Sequence, residues 1–213
     1  MIIGICGLIG SGKDTIADYL VKEHNFVKLS FADKLKDSVA EMFDWNRKLL
    51  DGKTDESRAW REQSDPFWSK EMGRDITPRY VLQVFGTECM RDGFYDGVWV
   101  SLAKKKILDN PEINWVIPDV RFENEADMIK EIKGEVWWVK RGQLPMWFRM
   151  YQDIGQKPKD VHASEWAWAN TDFDAEYPTT APLLILKIRY KIALFPTDSF
   201  KVQRSLAIST HSL

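Results

Sequence analysis

The sequence predicts an α/β fold built on a parallel central sheet, and three observations carry that reading. Short, nearly continuous apolar runs recur at Ile2–Cys6, 26–31, 113–117 and 136–139, each the length of a strand buried on both faces. Segments with apolar residues at helical spacing follow these runs. The first run passes through a glycine-rich turn directly into a helix, a strand-loop-helix unit closed locally. Sheets of this kind bind ligands beyond the carboxyl ends of their strands, which places the functional loops after Cys6, Phe31, Ile117 and Val139.

Ile2, Ile3, Ile5 and Cys6 make the first strand, closed by Gly7. Residues 14–23 carry Ile16, Ala17, Leu20 and Val21 on one helical face. A second strand is expected at 26–31, and a helix from Asp33 to Phe43, with Leu35, Val39, Met42 and Phe43 apolar. Between 44 and 77 charges interleave with Trp45, Trp60 and Trp68, the pattern of an insertion or cap rather than of sheet. Pro78 opens a helix expected to run to Arg91, with Thr77 as its cap, and Val98–Leu108 forms another. Residues 113–117 read as a buried strand ended by Pro118, 123–133 as a helix and 136–139 as a strand. From 175 the tail is rich in Ser and Thr, and 184–192 alternates in a strand-like way.

With 213 residues, 44% of them hydrophobic and 13% aromatic, the chain is long enough for one sizeable globular domain. Thirty Lys and Arg against 32 Asp and Glu leave a net charge of −2, so no global field favours nucleic acid or anionic lipid. Any phosphate-binding charge must be local. Cys6 and Cys89 fit no metal-ligand spacing and suggest a reducing interior. The apolar start is too short for a secretory or membrane segment, and the cytoplasm is the expected compartment.

The sharpest motif is the run from Gly7 to Thr15. Gly7, Gly12 and Lys13 have the G-x-x-x-x-G-K spacing of a P-loop, with Gly10 and Ser11 between them, set between strand and helix as that motif requires. Backbone N–H groups freed by the glycines close around a phosphate, the helix dipole assists, and Lys13 supplies a mobile positive charge. Residue 14 is Asp where a hydroxyl usually meets magnesium, and Thr15 follows it. An ordinary strand-to-helix turn capped by Asp14 has the same outline.

A P-loop serves kinases, GTPases and motor ATPases alike. No N-K-x-D string for guanine occurs. Arg79, Gln83, Thr87 and Arg91 recur every fourth residue and wind slowly round the expected helix as a polar stripe, either a solvated face or a site for a second phosphate, to which arginine is suited. Asp119 and Arg121 stand at the carboxyl end of a buried strand. Asp119 suits a magnesium-bound water and Arg121 the transferring phosphoryl group, although charges also simply mark where a strand leaves the core. The H-A-S-E string at 162–165, with Arg141 and Arg149, lies in an expected polar loop that is either a lid over triphosphate or plainly exposed. Most of the ten tryptophans are expected to pack, with one or two free to stack on a base.

Taken together, G-S-G-K-D-T (10–15), S-F-A-D-K-L-K-D (30–37), L-Q-V-F-G-T (82–87) with Arg91 and Trp99 behind it, P-D-V-R-F-E-N-E (118–125) and H-A-S-E resemble the phage-type deoxynucleoside monophosphate kinases over residues 1–174. The resemblance implies a three-layer P-loop kinase fold with a cap at 44–77 and a lid at 141–165. It implies ATP- and Mg2+-dependent phosphorylation of a deoxynucleoside monophosphate, in the host cytoplasm if the gene is a phage's. By the same resemblance Gly10, Gly12, Asp14 and Thr15 belong to the ATP site. Leu35, Lys36, Arg79, Gly86, Thr87, Arg91, Trp99, Asp119, Arg121 and Glu125 belong to the acceptor site, which Gln83 joins through its place in the stripe, and Trp99 is the candidate for base stacking. Lys13, Arg79, Arg91 and Arg121 are the cations available for catalysis, and Asp14 and Asp119 the candidate magnesium contacts, Asp119 through water. Residues 175–213 do not look like the family's ending. Open alternatives are a kinase of another small acceptor, such as a coenzyme A precursor, and a non-catalytic ATP-binding regulator. A homodimer is possible.

Overall fold

In the computed structural model, which describes residues 1–178, Ile3, Ile5 and Cys6 are wholly excluded from solvent. Their strand, β1 (Ile2–Cys6), is the middle of a five-stranded sheet ordered β2-β3-β1-β4-β5. The others are β2 (Phe26–Lys28), β3 (Asn114–Ile117), β4 (Glu135–Lys140) and β5 (Ala175–Pro178), and every pairing is parallel. Ile3 lies opposite Val116 on one side and Glu135 on the other.

The period of two along each strand divides the core into two layers. Ile3, Ile5, Val116, Trp137 and Val139 pack with Ile16, Ala17 and Leu20 of α1 (Lys13–His24). Cys6, Trp115, Ile117, Val136 and Trp138 pack with Val100, Ala103 and Ile107 of α7 (Val98–Leu108), with Ala126, Met128 and Ile129 of α8 (Glu123–Glu131), and with Phe148 of α9 (Met146–Ile154). Three layers result, as expected. A separate apolar cluster of Val39, Leu50, Ile76 and Val81 joins α2 (Asp33–Phe43) to the insertion, which folds as α3 (Arg47–Leu50), α4 (Asp55–Arg61) and α5 (Pro66–Met72). Trp45, Trp60 and Trp68 pack round this cluster, and Asn46, Thr54 and Asp65 cap the three helices.

Several boundaries differ from the sequence reading. β2 stops at Lys28 rather than Phe31, because Ser30 and Asp33 close a turn on each other: Asp33 N–H donates to the Ser30 carbonyl and Ser30 N–H to Asp33 Oδ2. The helix expected over 78–91 is α6 (Pro78–Gln83) followed by a π-helical segment, Val84–Asp92. The loop expected near 141–165 contains α9, whose Phe148 is fully buried, so that segment is anchored rather than loose. The sheet continues past 174. β5 pairs with β4, Tyr177 meets Trp137 at a centroid separation of 5.0 Å, and Asp174 and Val136 exchange backbone and carboxylate hydrogen bonds. The 184–192 segment lies outside the described residues. Among those described, no helix is long and apolar enough to cross a membrane.

Candidate active site

β1 delivers the chain at Gly7 to the carboxyl edge of the sheet. Gly7 has φ 154°, and a Cβ there would come within 2.5 Å of Ser11 Oγ and 2.6 Å of the Val139 carbonyl oxygen, so the loop closes only on a glycine. Gly12, at φ 98°, turns the chain into α1. Lys13 spans the loop it follows, its ammonium donating to the carbonyls of Gly7 (2.8 Å) and Leu8 (3.0 Å). Burial, then the charge of Arg121, lowers the Lys13 pKa. Beside the loop a groove of about 280 Å³ is walled by Leu8–Ser11 and by residues around the end of β4, among them Arg141 and Pro145. Arg141 Nη1 reaches the Gly10 carbonyl at 3.2 Å. Asp14 and Thr15 are exposed, and Asp14 faces Lys28 at 4.0 Å.

A second, larger cavity of about 480 Å³ takes residues from α2, α6, the π-helical segment, α7 and the loop after β3. Arg79, Gln83, Thr87 and Arg91 all line it, so the stripe read from the sequence survives the change of helix type. Arg79 is half exposed and paired with Glu62 at 3.1 Å. Arg91 is far less accessible, lies over the Phe122 ring at 5.0 Å and is 3.9 Å from Asp96. Gly86 and Leu35 line the cavity together, and a Cβ on Gly86 would fall 2.8 Å from Leu35 Cδ2. Trp99 also lines it but is only 7% exposed, and its Nε1–H donates to the Gly86 carbonyl at 2.9 Å. The bond lies in the plane of the ring and fixes the indole against the π-helical turn, with Trp99 still part of the cavity wall. Lys36 does not line the cavity. One residue beyond Leu35 it turns about 100° round the helix and meets Asp51 of the cap at 3.3 Å.

β3 ends at the floor of this cavity. Asp119 receives the Ser30 hydroxyl on Oδ2, while its buried Oδ1 has no hydrogen-bond partner among the described residues. Burial raises the Asp119 pKa against the pull of Ser30, Lys36 and Arg121. Glu125, 5% exposed, accepts the backbone N–H groups of Arg121 (2.7 Å) and Phe122 (3.2 Å) and so folds the D-V-R-F turn. Burial pushes its pKa up to about 8. Arg121 lines the cavity and its Nη1 donates to Glu165 Oε1 at 2.9 Å.

Sequence reasoning missed Arg61, Phe31 and Phe122, and left His162 undecided; all four line the cavity. Arg61 lies among the charges of the insertion, where nothing in the pattern separates it from Arg58. Its buried Nε has no hydrogen-bond partner among the described residues, and the lack of a side chain at Gly52 leaves room for its guanidinium, which a Cβ there would strike.

Comparison with known proteins agrees with this geometry. A protein of Acanthamoeba polyphaga mimivirus, provisionally named a deoxynucleotide monophosphate kinase, is 36% identical over 146 residues, 63% of this chain and 70% of the viral protein. The chain belongs to the deoxynucleotide monophosphate kinase family. A deoxynucleoside-5'-monophosphate kinase of Escherichia phage T5 is 39% identical over 57 residues, 26% of this chain and 22% of the phage enzyme. No protein-family model matches. Among solved structures, the shikimate kinases of Aquifex aeolicus (14% identity, TM-score 0.40, 91% of this chain and 96% of that one) and Bacteroides thetaiotaomicron (11%, TM-score 0.38, 90% and 96%) align over most of their length. Those scores are low, and the fold of this deoxynucleotide monophosphate kinase rests on its own sheet order. The kinase transfers a phosphoryl group to a nucleotide, and two concave sites on one edge of its sheet suit that chemistry.

Proposed function

We propose that this kinase moves the γ-phosphoryl group of ATP, with Mg2+, onto the 5'-phosphate of a deoxynucleoside monophosphate, giving the diphosphate for DNA precursor synthesis. The observation that carries the reading is the lining of the second cavity, where Arg79, Gln83, Thr87 and Arg91 meet Arg121 at the carboxyl edge that also holds the P-loop. Triphosphate on the loop and monophosphate among Arg79, Gln83, Thr87 and Arg91 would then meet across one guanidinium.

A nucleoside monophosphate is mostly dianionic at pH 7, its second pKa being about 6, so its attacking oxygen needs no strong base. What the protein must supply is alignment and neutralisation of repelling charge. Lys13, released from the Gly7 and Leu8 carbonyls, is placed for the β and γ oxygens. Arg91 and Arg79 hold the acceptor phosphate with planar forks. Arg121 serves the transferring group. Asp119 fits a magnesium role, since its Oδ2 is held by Ser30 and its Oδ1 is an unpaired hard oxygen at the cavity floor. Bound with the triphosphate, Mg2+ would offset charge on the phosphate oxygens. Exposed and beside Lys28, Asp14 fits that role less well. Two free cysteines, Cys6 and Cys89, suit the reducing cytoplasm proposed for it.

ADP release, followed with each of the four deoxynucleoside monophosphates and their ribose counterparts, tests this. Release that requires a deoxynucleotide supports it. Release indifferent to added nucleotide, or faster with a hydroxylated non-nucleotide acceptor, overturns it.

A further inference from the structure

The segment His162–Glu165 reaches the phosphate-handling arginine from a distant part of the chain. Ala163–Glu165 is a single 3₁₀ turn, capped by His162, whose Nδ1 accepts the Ser164 N–H at 3.3 Å. Ser164 Oγ lies 2.9 Å from the same nitrogen and 3.5 Å from Arg121 Nη1. Glu165 Oε1 accepts from Arg121 Nη1 at 2.9 Å, its side chain only 19% exposed. The turn is anchored behind: Trp166 packs against Tyr151 of α9 with ring centroids 4.6 Å apart and donates its indole N–H to the Val161 carbonyl at 3.0 Å, and Trp168 is 1% exposed. His162, at the front of the turn, lines the acceptor cavity.

Arg121 therefore has two constraints. Its backbone N–H is fixed by Glu125 and its guanidinium by Glu165, 44 residues later in the chain. A guanidinium has five donors, so one Nη1–H bonded to Glu165 leaves the rest of the fork for phosphate.

We propose that Glu165 is a positioning residue for phosphoryl transfer, orienting the Arg121 fork between the P-loop and the acceptor cavity. The proposal rests on the reading of Arg121 as the arginine of the transferring group. Because Glu165 is an anion facing phosphates, its removal should leave acceptor affinity equal or slightly better while slowing the transfer step. A residue that merely held the turn together would instead lower the folded fraction and spare kcat per folded molecule.

The test is a double-mutant cycle on the full chain with Glu165→Gln, Glu165→Asp, Arg121→Lys and the pair Arg121→Lys/Glu165→Gln, measuring kcat and the KM of ATP and of a deoxynucleoside monophosphate, with thermal unfolding of each variant. Glu165→Gln is expected to lower kcat about tenfold, with both KM values within about twofold and an unchanged melting temperature. Glu165→Asp should recover part of the loss. In the Arg121→Lys background the same Gln substitution should cost less than about twofold, since it acts through the fork already lost. Additive losses, or a Glu165→Gln enzyme with full kcat, overturn the positioning role while Arg121→Lys alone still reports on Arg121. Full turnover in Arg121→Lys removes the reading of Arg121 and this proposal with it.

Discussion

Trp99 donates its indole N–H to the carbonyl of Gly86 across 2.9 Å. The bond ties α7 to the first turn of the π-helical segment that carries Thr87 and Arg91. π-Helical turns are rare and need such support. Trp99→Phe keeps an aromatic ring but removes this buried hydrogen bond, which costs about 0.5–1.5 kcal/mol. Denaturant unfolding should show that loss, and KM for the acceptor should rise more than KM for ATP. Equal rises would mean that the turn is held by other contacts.

Lys13→Met deletes the mobile charge of the P-loop and nothing from the apolar core. Turnover should fall by about a hundredfold or more with the unfolding midpoint preserved. Undiminished kcat would remove the P-loop from the chemistry.

Arg79→Ala and Arg91→Ala should each weaken the acceptor and spare ATP. A charge-assisted bond to phosphate is worth about 1.5–3 kcal/mol, about tenfold to a hundredfold in kcat/KM. The larger loss is expected at Arg91, because Arg79 is half exposed and shared with Glu62, whereas Arg91 is largely enclosed. Lysine should rescue only in part, having the charge without the fork. Weakened ATP binding with unchanged acceptor saturation would reverse the two sites.

Glu125 gives the fold a pH dependence. Its folded pKa of about 8 lies above the ordinary 4.5, so between those values the native state holds a proton that the unfolded chain has lost. Stability should therefore decline as pH rises through that window, by at most about 1.4 kcal/mol per pH unit from this group. Glu125→Gln keeps an acceptor for the Arg121 and Phe122 N–H groups and should lose the decline. Parallel stability curves for the two proteins between pH 5 and 8 would contradict the burial of a neutral acid.

A chain ending after Asp174 lacks β5, and one ending after Pro178 keeps it. Tyr177 is 4% exposed against Trp137, and burying such a side chain contributes about 1.5–3 kcal/mol. The shorter chain should melt about 5 °C or more below the longer one. Identical melting temperatures would show that the sheet is complete with its first four strands.

The local parts of this kinase were legible in its sequence. β1, the glycine loop and α1 lie within residues 2–24, and steric demand at Gly7 and Gly12 is written in residue type alone. The stripe from Arg79 to Arg91 was equally visible, since i+4 neighbours share a helix face under α or π winding. Lys36 and Trp99 were not, because helical spacing gives an azimuth but not what stands opposite it: Asp51 for one, the Gly86 carbonyl for the other. Arg61 became a cavity residue only when the cap folded over Gly52, and Glu165 met Arg121 only through the anchoring of Trp166 and Trp168. β5 is four residues long with a single buried side chain, too short for any periodicity to declare, and the free edge of β4 decides it. Backbone conformation and face are properties of neighbours in the chain, whereas pairing, burial and charge partners depend on contacts between residues far apart in it, and those decided which side chains the site acquired.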